Sequence, residues 1–402
     1  MFNLTQFISS FVTKRRMSLF LADIRDNSKA LENKIRNKTF LVIGGAGSIG
    51  SSFIKAILPF KPKTLIVVDT NENALAELTR DLRSTKGMFV PADYVTYPMD
   101  FASPVFEKMF IKRGGFDIVG NFSAHKHVRS EKDIFSVEAL LQNNVLHAKL
   151  LLDLLVQYPP EEYFCVSTDK AANPVNIMGA SKRIMEDVIF SYSDKFPVKT
   201  ARFANVAFSN GSLPAGFMAR IQKLQPLSAP SDVRRYFVSL EESGQICMLA
   251  CILGKNREIF FPKLEEAQMM TFDAIGTALL HEHGYEVLEC SSDEEAIDKA
   301  EDLKNGSNLY PVHYSVSDTS GEKPFEEFVT ETETADMERF SSLGVITGKE
   351  IPDQGRIRKL YVDLSDAFAK EETTKEEVIQ IMKKYLPGFE HIETGKSLDS
   401  KM

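Results

Sequence analysis

Thr39-Phe40-Leu41-Val42-Ile43 runs directly into Gly44-Gly45-Ala46-Gly47-Ser48-Ile49-Gly50. The first five residues show no polar alternation, as in a central parallel strand buried on both faces. Ser51 to Leu58 reads as a helix. Thr64-Leu65-Ile66-Val67-Val68 is a second buried strand, and it ends on Asp69. The glycines have separate physical roles. Gly44 allows the tight turn, Gly47 lets the backbone approach a pyrophosphate, and Gly50 lets the helix sit close to the sheet. The helix N-terminus then faces the negative charge. Asp69 follows Gly50 by 19 residues, where a carboxylate can accept hydrogen bonds from a ribose diol.

This order of strand, glycine loop, helix, strand and acid predicts a dinucleotide site. Its residues are Gly44, Ala46, Gly47, Ser48, Ile49, Gly50 and Asp69. The Asp69 carboxylate would repel an extra ribose phosphate, so NAD is preferred to NADP. Further strands are expected up to Met99-Asp100, at Asp117 to Asn121, at Tyr163 to Ser167 and at Val198 to Phe203. Helices are expected between them at Pro104 to Ile111, Ser136 to Leu155 and Gly179 to Ser191. The alternation predicts an α/β fold, a Rossmann-type doubly wound parallel sheet with ligands beyond the carboxyl ends of its strands. Asp100, Phe122, Ser123 and Ala124 fall on that edge and join the cofactor set.

The division expected is an N-terminal helical extension over 1–37, a dinucleotide-binding domain over 38–210, and a smaller substrate lobe with a C-terminal extension over 211–402. Part of the last segment is expected to return to the first domain. From Ala204 onward, Asn210-Gly211, Pro214, Pro226, Pro230 and Pro262 punctuate shorter elements. Ser291 to Glu301 reads as a helix, and the tail after Gly388 as loosely held. Residues 1–37 carry Phe2, Phe7 and Phe11 around the Lys14-Arg15-Arg16 cluster. Packing on the parent domain or another subunit is preferred there to lying on an anionic membrane surface.

The 402 residues carry 48 Lys+Arg against 56 Asp+Glu, a formal charge of −8, and are 43% apolar. The apolar share is enough for a full core, and the acidic balance argues against nucleic acid as a partner. No apolar run is long enough to span a membrane. The four cysteines lack zinc-ligand spacing, so no metal site is expected. Cys247 and Cys251 read instead as one face of a buried helix. Sparse cysteines suit a cytoplasmic location.

The chemistry gathers at Ser167-Thr168-Asp169-Lys170 and Met178-Gly179-Ala180-Ser181-Lys182. Together with Gly44 to Gly50, Ser123-Ala124-His125-Lys126-His127-Val128, Arg202-Phe203-Ala204-Asn205-Val206, Arg235-Tyr236-Phe237-Val238 and Gly321-Glu322-Lys323, they resemble the extended short-chain dehydrogenases/reductases. More narrowly, they are similar to the CapD-like polysaccharide-biosynthesis proteins, the UDP-N-acetylglucosamine 4,6-dehydratases. Met178-x-x-x-Lys182 stands where that superfamily has Tyr-x-x-x-Lys, and some members of the narrower family carry Met there. An arginine that the family places before Pro-Gly-Glu-Lys is replaced by Ser317-Asp318-Thr319-Ser320.

The resemblance implies an internal redox elimination on UDP-N-acetylglucosamine. Hydride passes from C4 of the sugar to a tightly held, recycled NAD and back to C6, and water leaves between the two transfers. It makes Lys170 the C5 base, Asp169 the acid for the C6 hydroxyl, and Thr168 a partner of the C4 oxygen. Lys182 would hold the nicotinamide ribose. Met178 cannot accept a proton, so the C4 hydroxyl loses its own to Asp169, to water relayed by Thr168, or to Lys170. Lys126, His127, Asn205 and Arg235 are candidates for holding the substrate, and Asn144 for supporting the loop. A homodimer or higher homo-oligomer is expected, paired through the helices at 136–155 and 179–191. Two alternatives stand beside the dehydratase: an epimerase or oxidoreductase on another nucleotide sugar, and a non-catalytic NAD-binding sensor or scaffold.

Overall fold

A computed structural model describes residues 2–127, 131–317, 323 and 325–392. Apolar runs without polar alternation form the centre of a nine-stranded sheet. Its first six strands in chain order are β1 (Thr39–Ile43), β2 (Thr64–Asp69), β3 (Asp93–Pro98), β4 (Ile118–Asn121), β5 (Glu162–Val166) and β6 (Val198–Ala201). They lie in the spatial order β3-β2-β1-β4-β5-β6, all parallel. This is the doubly wound dinucleotide-binding order, with its switch point between β1 and β4. β3 stops at Pro98, short of the expected Met99-Asp100, and the Met99 N–H makes a last bond to the Asp69 carbonyl at 3.0 Å.

Beyond β6 the chain returns to the sheet. Glu258–Pro262 adds a further parallel strand. Leu343–Thr347 and then Thr334–Asp336 complete the edge antiparallel. The two faces follow from the period of a strand. Leu41, Ile43, Ile66, Val68, Val119 and Tyr163 enter one core with the helices Pro104–Arg113, Ile134–Leu141, His147–Gln157 and Ile177–Phe190. Phe40, Val42, Leu65, Val67, Ile118 and Phe164 enter the other with Ser48–Ile57, Glu72–Ser84 and Leu240–Leu253. Cys247 and Cys251 are buried on that last helix.

A smaller lobe stands over the carboxyl edge. Its three-stranded sheet joins Glu286–Glu289, Leu309–Ser315 and Leu227–Pro230 in parallel. It packs on helices Leu213–Lys223 and Phe272–Glu282 around a third core. A helix within the stretch read as 291–301 spans Asp293–Lys299.

Residues 2–35 form short helical pieces rather than one helix. Phe7, Ile8 and Val12 are buried in the small lobe's core, and Phe20, Leu31 and Ile35 in the main one. Arg15, from the basic cluster, donates to Glu242 at 2.8 and 2.7 Å. This segment is packed on its own chain, which spends these six apolar residues and one of the three residues of the basic cluster.

At the other end, helices Gln354–Phe368 and Lys375–Tyr385 join the core that holds Ile134–Leu141, His147–Gln157 and Ile177–Phe190. Tyr385 Oη donates to Asp187 at 3.3 Å, and Gln354 donates to the Ser191 carbonyl at 2.5 Å. The face expected to pair with a second copy therefore carries, at least in part, the chain's own hairpin. Phe389 is buried, and the Ile392 N–H donates to Val175 at 3.0 Å. The tail is thus held through Ile392, and the rest of it lies outside the described residues. No helix among the described residues is long and apolar enough to cross a membrane.

Candidate active site

A cleft of about 840 Å³ opens between the carboxyl edge of the main sheet and the small lobe. A cavity of this size accommodates a nucleotide-sized ligand. Its floor is the glycine loop. Gly44 has φ +69°, and a Cβ there would lie 2.5 Å from the Ser123 nitrogen. A Cβ on Gly50 would lie 2.3 Å from the Gly44 carbonyl oxygen, so the Ser48–Ile57 helix can approach the loop only with glycine here. Gly47 differs: its φ is −69°, and an added Cβ would meet only the Gly44 oxygen at 3.4 Å. The backbone there is bare toward the cleft, which leaves the approach a diphosphate needs. Asp69 accepts hydrogen bonds from Ala46 N–H and Asn71 N–H, each at 3.0 Å. Two N–H donors leave carboxylate lone pairs for hydroxyl donors. These residues fit the diphosphate and ribose of a dinucleotide.

Gly44, Gly47, Ser48, Ile49, Gly50, Phe122 and Ala124 line the cleft. Ser123 stands behind them, its N–H on Asn121 Oδ1 at 3.0 Å and its hydroxyl on Asn143 Oδ1 at 3.3 Å. Asp100 is exposed at the sheet edge and accepts from Ala102 N–H at 2.8 Å. It is not part of the cleft wall.

Thr168, Lys170, Met178 and Lys182 line the opposite wall. Asn176 caps the helix Ile177–Phe190 by accepting from Gly179 N–H at 2.7 Å. Glu131 accepts from the N–H groups of Ile177 and Met178 at 3.0 and 2.9 Å. A carboxylate at a helix N-terminus also meets the positive end of the helix dipole. This start is therefore fixed on the chain, and Met178 and Lys182 come one turn apart on one face. Lys182 is 3% exposed, and its ammonium donates to the Val166 carbonyl at 3.0 Å. Burial lowers its pKa from the ordinary lysine value.

Asp169 is 3% exposed and is not among the residues that line the cleft. Its Oδ1 accepts from Thr168 Oγ1 at 2.8 Å, from Lys170 N–H at 2.9 Å and from Lys170 Nζ at 3.2 Å. Asp169 therefore reaches the cleft only through its two neighbours. Acid and base do stand side by side, 3.2 Å apart, with Lys170 on the cleft wall and Asp169 behind it.

Lys126, His127 and Asn205 line the cleft, and the His127 ring packs over Gly211. Arg235 does not line it: this guanidinium is buried and donates to the carbonyls of Arg234 and Lys323, each at 2.9 Å. Val128, Gly321 and Glu322, quoted among the motifs, lie outside the described residues, as do Asp318 to Ser320.

Asn144 does hold the loop, by a device the sequence did not reveal. The expected helix 136–155 is interrupted by a π turn at Gln142–Leu146. Such a turn re-aims the residues in it, and these turns cluster at functional sites. Asn144 accepts from His125 N–H at 3.0 Å, donates to the His125 carbonyl at 2.9 Å, and donates to Ser181 Oγ at 3.1 Å. Below the site, Ser167 donates to Glu186 at 2.6 Å, and Arg202 joins Glu186 to Glu333 through hydrogen bonds of 2.6 to 2.9 Å. Glu326, also unmarked by any motif spacing, approaches Lys170 Nζ at 3.7 Å.

Comparison with known proteins follows the same lines. A protein described as an uncharacterized membrane protein of Methanocaldococcus jannaschii is 30% identical, over 86% of this chain and 96% of its own. The probable polysaccharide biosynthesis protein EpsC of Bacillus subtilis is 30% identical over 64% of this chain, which spans only 43% of it. More distant are a UDP-N-acetylglucosamine 4,6-dehydratase (inverting) of Campylobacter jejuni, at 25% over 56% of this chain and 67% of its own, and a UDP-glucose 4-epimerase of Rickettsia conorii, at 28% over 67% and 82%. Among solved structures, Pen from Bacillus thuringiensis superposes with a TM-score of 0.63 at 19% identity, over 82% of this chain and 98% of that one. The family described as polysaccharide biosynthesis protein matches residues 40–347. The chain belongs to this family of polysaccharide biosynthesis proteins, built on the extended short-chain dehydrogenase/reductase plan.

Proposed function

We propose that this chain is a UDP-N-acetylglucosamine 4,6-dehydratase working with NAD, making a UDP-4-keto-6-deoxy sugar for surface-glycan synthesis. One observation carries the reading: Lys170, bonded to Asp169, shares the cleft wall with Lys182 while Met178 stands where a phenol would. A site for hydride exchange alone has no use for this extra acid and amine, whereas an elimination needs both.

When bound, NAD supplies the acceptor and donor of the hydride that leaves C4 and returns to C6. The glycine loop would hold its diphosphate, Asp69 its adenosine ribose, and Lys182 the ribose next to the nicotinamide. Lys126, His127 and Asn205 would hold the sugar nucleotide on the facing wall. Lys170, in its neutral form, takes the C5 proton, which the 4-ketone acidifies. The C4 hydroxyl passes its proton through the Thr168 hydroxyl to Asp169 as the hydride leaves, and Asp169 returns that proton by the same route to the C6 oxygen, which leaves as water. Lys170 returns its proton to C5 as the hydride returns to C6, so the product differs from the substrate by one water.

The test is incubation with UDP-N-acetylglucosamine in deuterated water, followed by mass spectrometry and NADH absorbance. A product lighter by one water, carrying solvent deuterium and formed without net NADH, is expected. Likeness to the rickettsial epimerase supports a second reading, 4-epimerisation, which gives a product of unchanged mass with C4 inverted. Lys170→Ala should lower turnover by about 100-fold or more and leave NAD bound. An epimerase would lose little with this substitution, and a scaffold would show no turnover to lose.

A further inference from the structure

The Lys170 amine has two carboxyl neighbours, and they come from opposite ends of the site's sequence. Asp169 approaches at 3.2 Å and Glu326 at 3.7 Å. Both acids are almost fully enclosed, with side chains 4% exposed, while Lys170 keeps 18%. Around Glu326 the facing charges are Lys170, Asp169, Arg235 and Lys323. Its segment is tied to the Asp169–Asn176 loop at two further points. Lys323 Nζ donates to the Asn173 carbonyl at 2.5 Å, and Asn173 donates to Glu327 at 2.9 Å. The segment is anchored from behind as well, by Arg235 on the Lys323 carbonyl and Arg202 on the Phe328 carbonyl, each at 2.9 Å.

A lysine side chain has four rotatable bonds, and one carboxylate fixes its ammonium poorly. A second carboxyl on a separately anchored segment removes much of that freedom. We propose that Glu326 is a positioning residue for Lys170, holding its amine at the cleft wall in register with Thr168. The inference rests on the dehydratase reading for its kinetic consequence, but not for its geometric one. Burial raises the Glu326 pKa above the usual carboxylate range, and the Asp169 charge adds to this, opposed by Lys170, Arg235 and Lys323. Glu326 therefore gains a proton, and loosens its hold, at a higher pH than an exposed glutamate would. Turnover should fall on the acid side through this ionisation.

The experiment uses the full chain and three variants, Glu326→Gln, Glu326→Asp and Glu331→Gln. The first readout is independent of activity: competitive acetylation with acetic anhydride at one fixed pH, followed by peptide mass spectrometry. Lys170 acetylation, relative to Lys126 in the same sample, should rise about threefold or more in Glu326→Gln and stay unchanged in the exposed Glu331→Gln. An unchanged ratio in Glu326→Gln overturns the proposal. The second readout is kinetic. Glu326→Gln should lower kcat by about tenfold to a hundredfold with KM nearly constant, and lose the acid-side ionisation, while Glu326→Asp recovers part of the rate. Wild-type kcat with an unaltered pH profile also overturns it. Should Glu326→Gln fail to fold, Glu326→Asp decides: a raised Lys170 acetylation ratio supports the proposal and an unchanged one refutes it. Absence of product in the wild type, with the acetylation shift intact, would instead sink the dehydratase reading alone.

Discussion

Lys182 shows how burial and charge compete at a single residue. Its ammonium is enclosed, donates to one carbonyl and faces the cleft. Desolvation disfavours the charged form, so its pKa is lowered. The proton is therefore lost at a lower pH than from an exposed lysine. If the ammonium supplies positive field to the cofactor, NAD affinity should fall as pH rises from neutral into the alkaline range, before surface lysines titrate. Fluorescence titration of NAD across that range checks this, and Lys182→Met should bind weakly with no such pH dependence. The pair Met178 and Lys182 was legible because helix spacing alone puts them together. Glu326 was not, because its contact with Lys170 spans most of the substrate lobe in sequence. Neither was the commitment of Arg235 to backbone carbonyls, since an arginine in a loop reads the same whether it faces ligand or chain.

At the scale of the element, the glycine loop separates what glycine does for the fold from what it does for a ligand. Gly50 and Gly44 are tight against backbone, whereas Gly47 has ordinary φ and a Cβ there would make one ordinary contact. Gly50→Ala should therefore lower the melting temperature markedly, because helix and loop must move apart. Gly47→Ala should lower it far less, since the backbone angle and the one contact of an added Cβ are both ordinary, and weaken NAD binding about tenfold or more. Differential scanning fluorimetry with and without NAD reads both effects. Equal destabilisation by the two would remove the distinction. The strands β1 to β6 were legible for the same reason as this loop: buried parallel strands are continuous apolar runs, and glycine spacing is local. The π turn at Gln142–Leu146 was invisible because one extra residue in a helix barely disturbs the apolar period. It nevertheless decides where Asn143 and Asn144 point.

Across the whole molecule, the regions that sequence left vague prove to be structural. The hairpin Gln354–Phe368 and Lys375–Tyr385 buries Leu360, Leu364 and Met382 against the core behind the active-site helix. Leu364→Ala should cost about 2–5 kcal/mol in chemical denaturation, the size expected of a core residue and not of an appended tail. The last strands matter through charge as well. Arg202 lies at the end of β6 with no exposed side-chain surface, and it is neutralised by Glu186 and by Glu333, which Lys349 also meets. Such a pair is no guarantee of net stability, but removing one partner strands a buried charge at a cost of about 3–5 kcal/mol. The Arg202 guanidinium and Lys349 hold the Glu333 carboxyl down at about 2, against an ordinary value of 4.5, despite the opposing effect of burial. For a carboxyl lowered in the folded state, the native chain resists the proton that the unfolded chain accepts. Its stabilisation is complete above about 4.5 and is lost as pH falls toward about 2. Urea midpoints of the wild type should therefore drop through that window, and those of Glu333→Gln should start lower at neutral pH and drop less. Parallel pH curves for the two proteins would mean that Arg202 is neutralised by Glu186 alone and that Glu333 is dispensable to the fold.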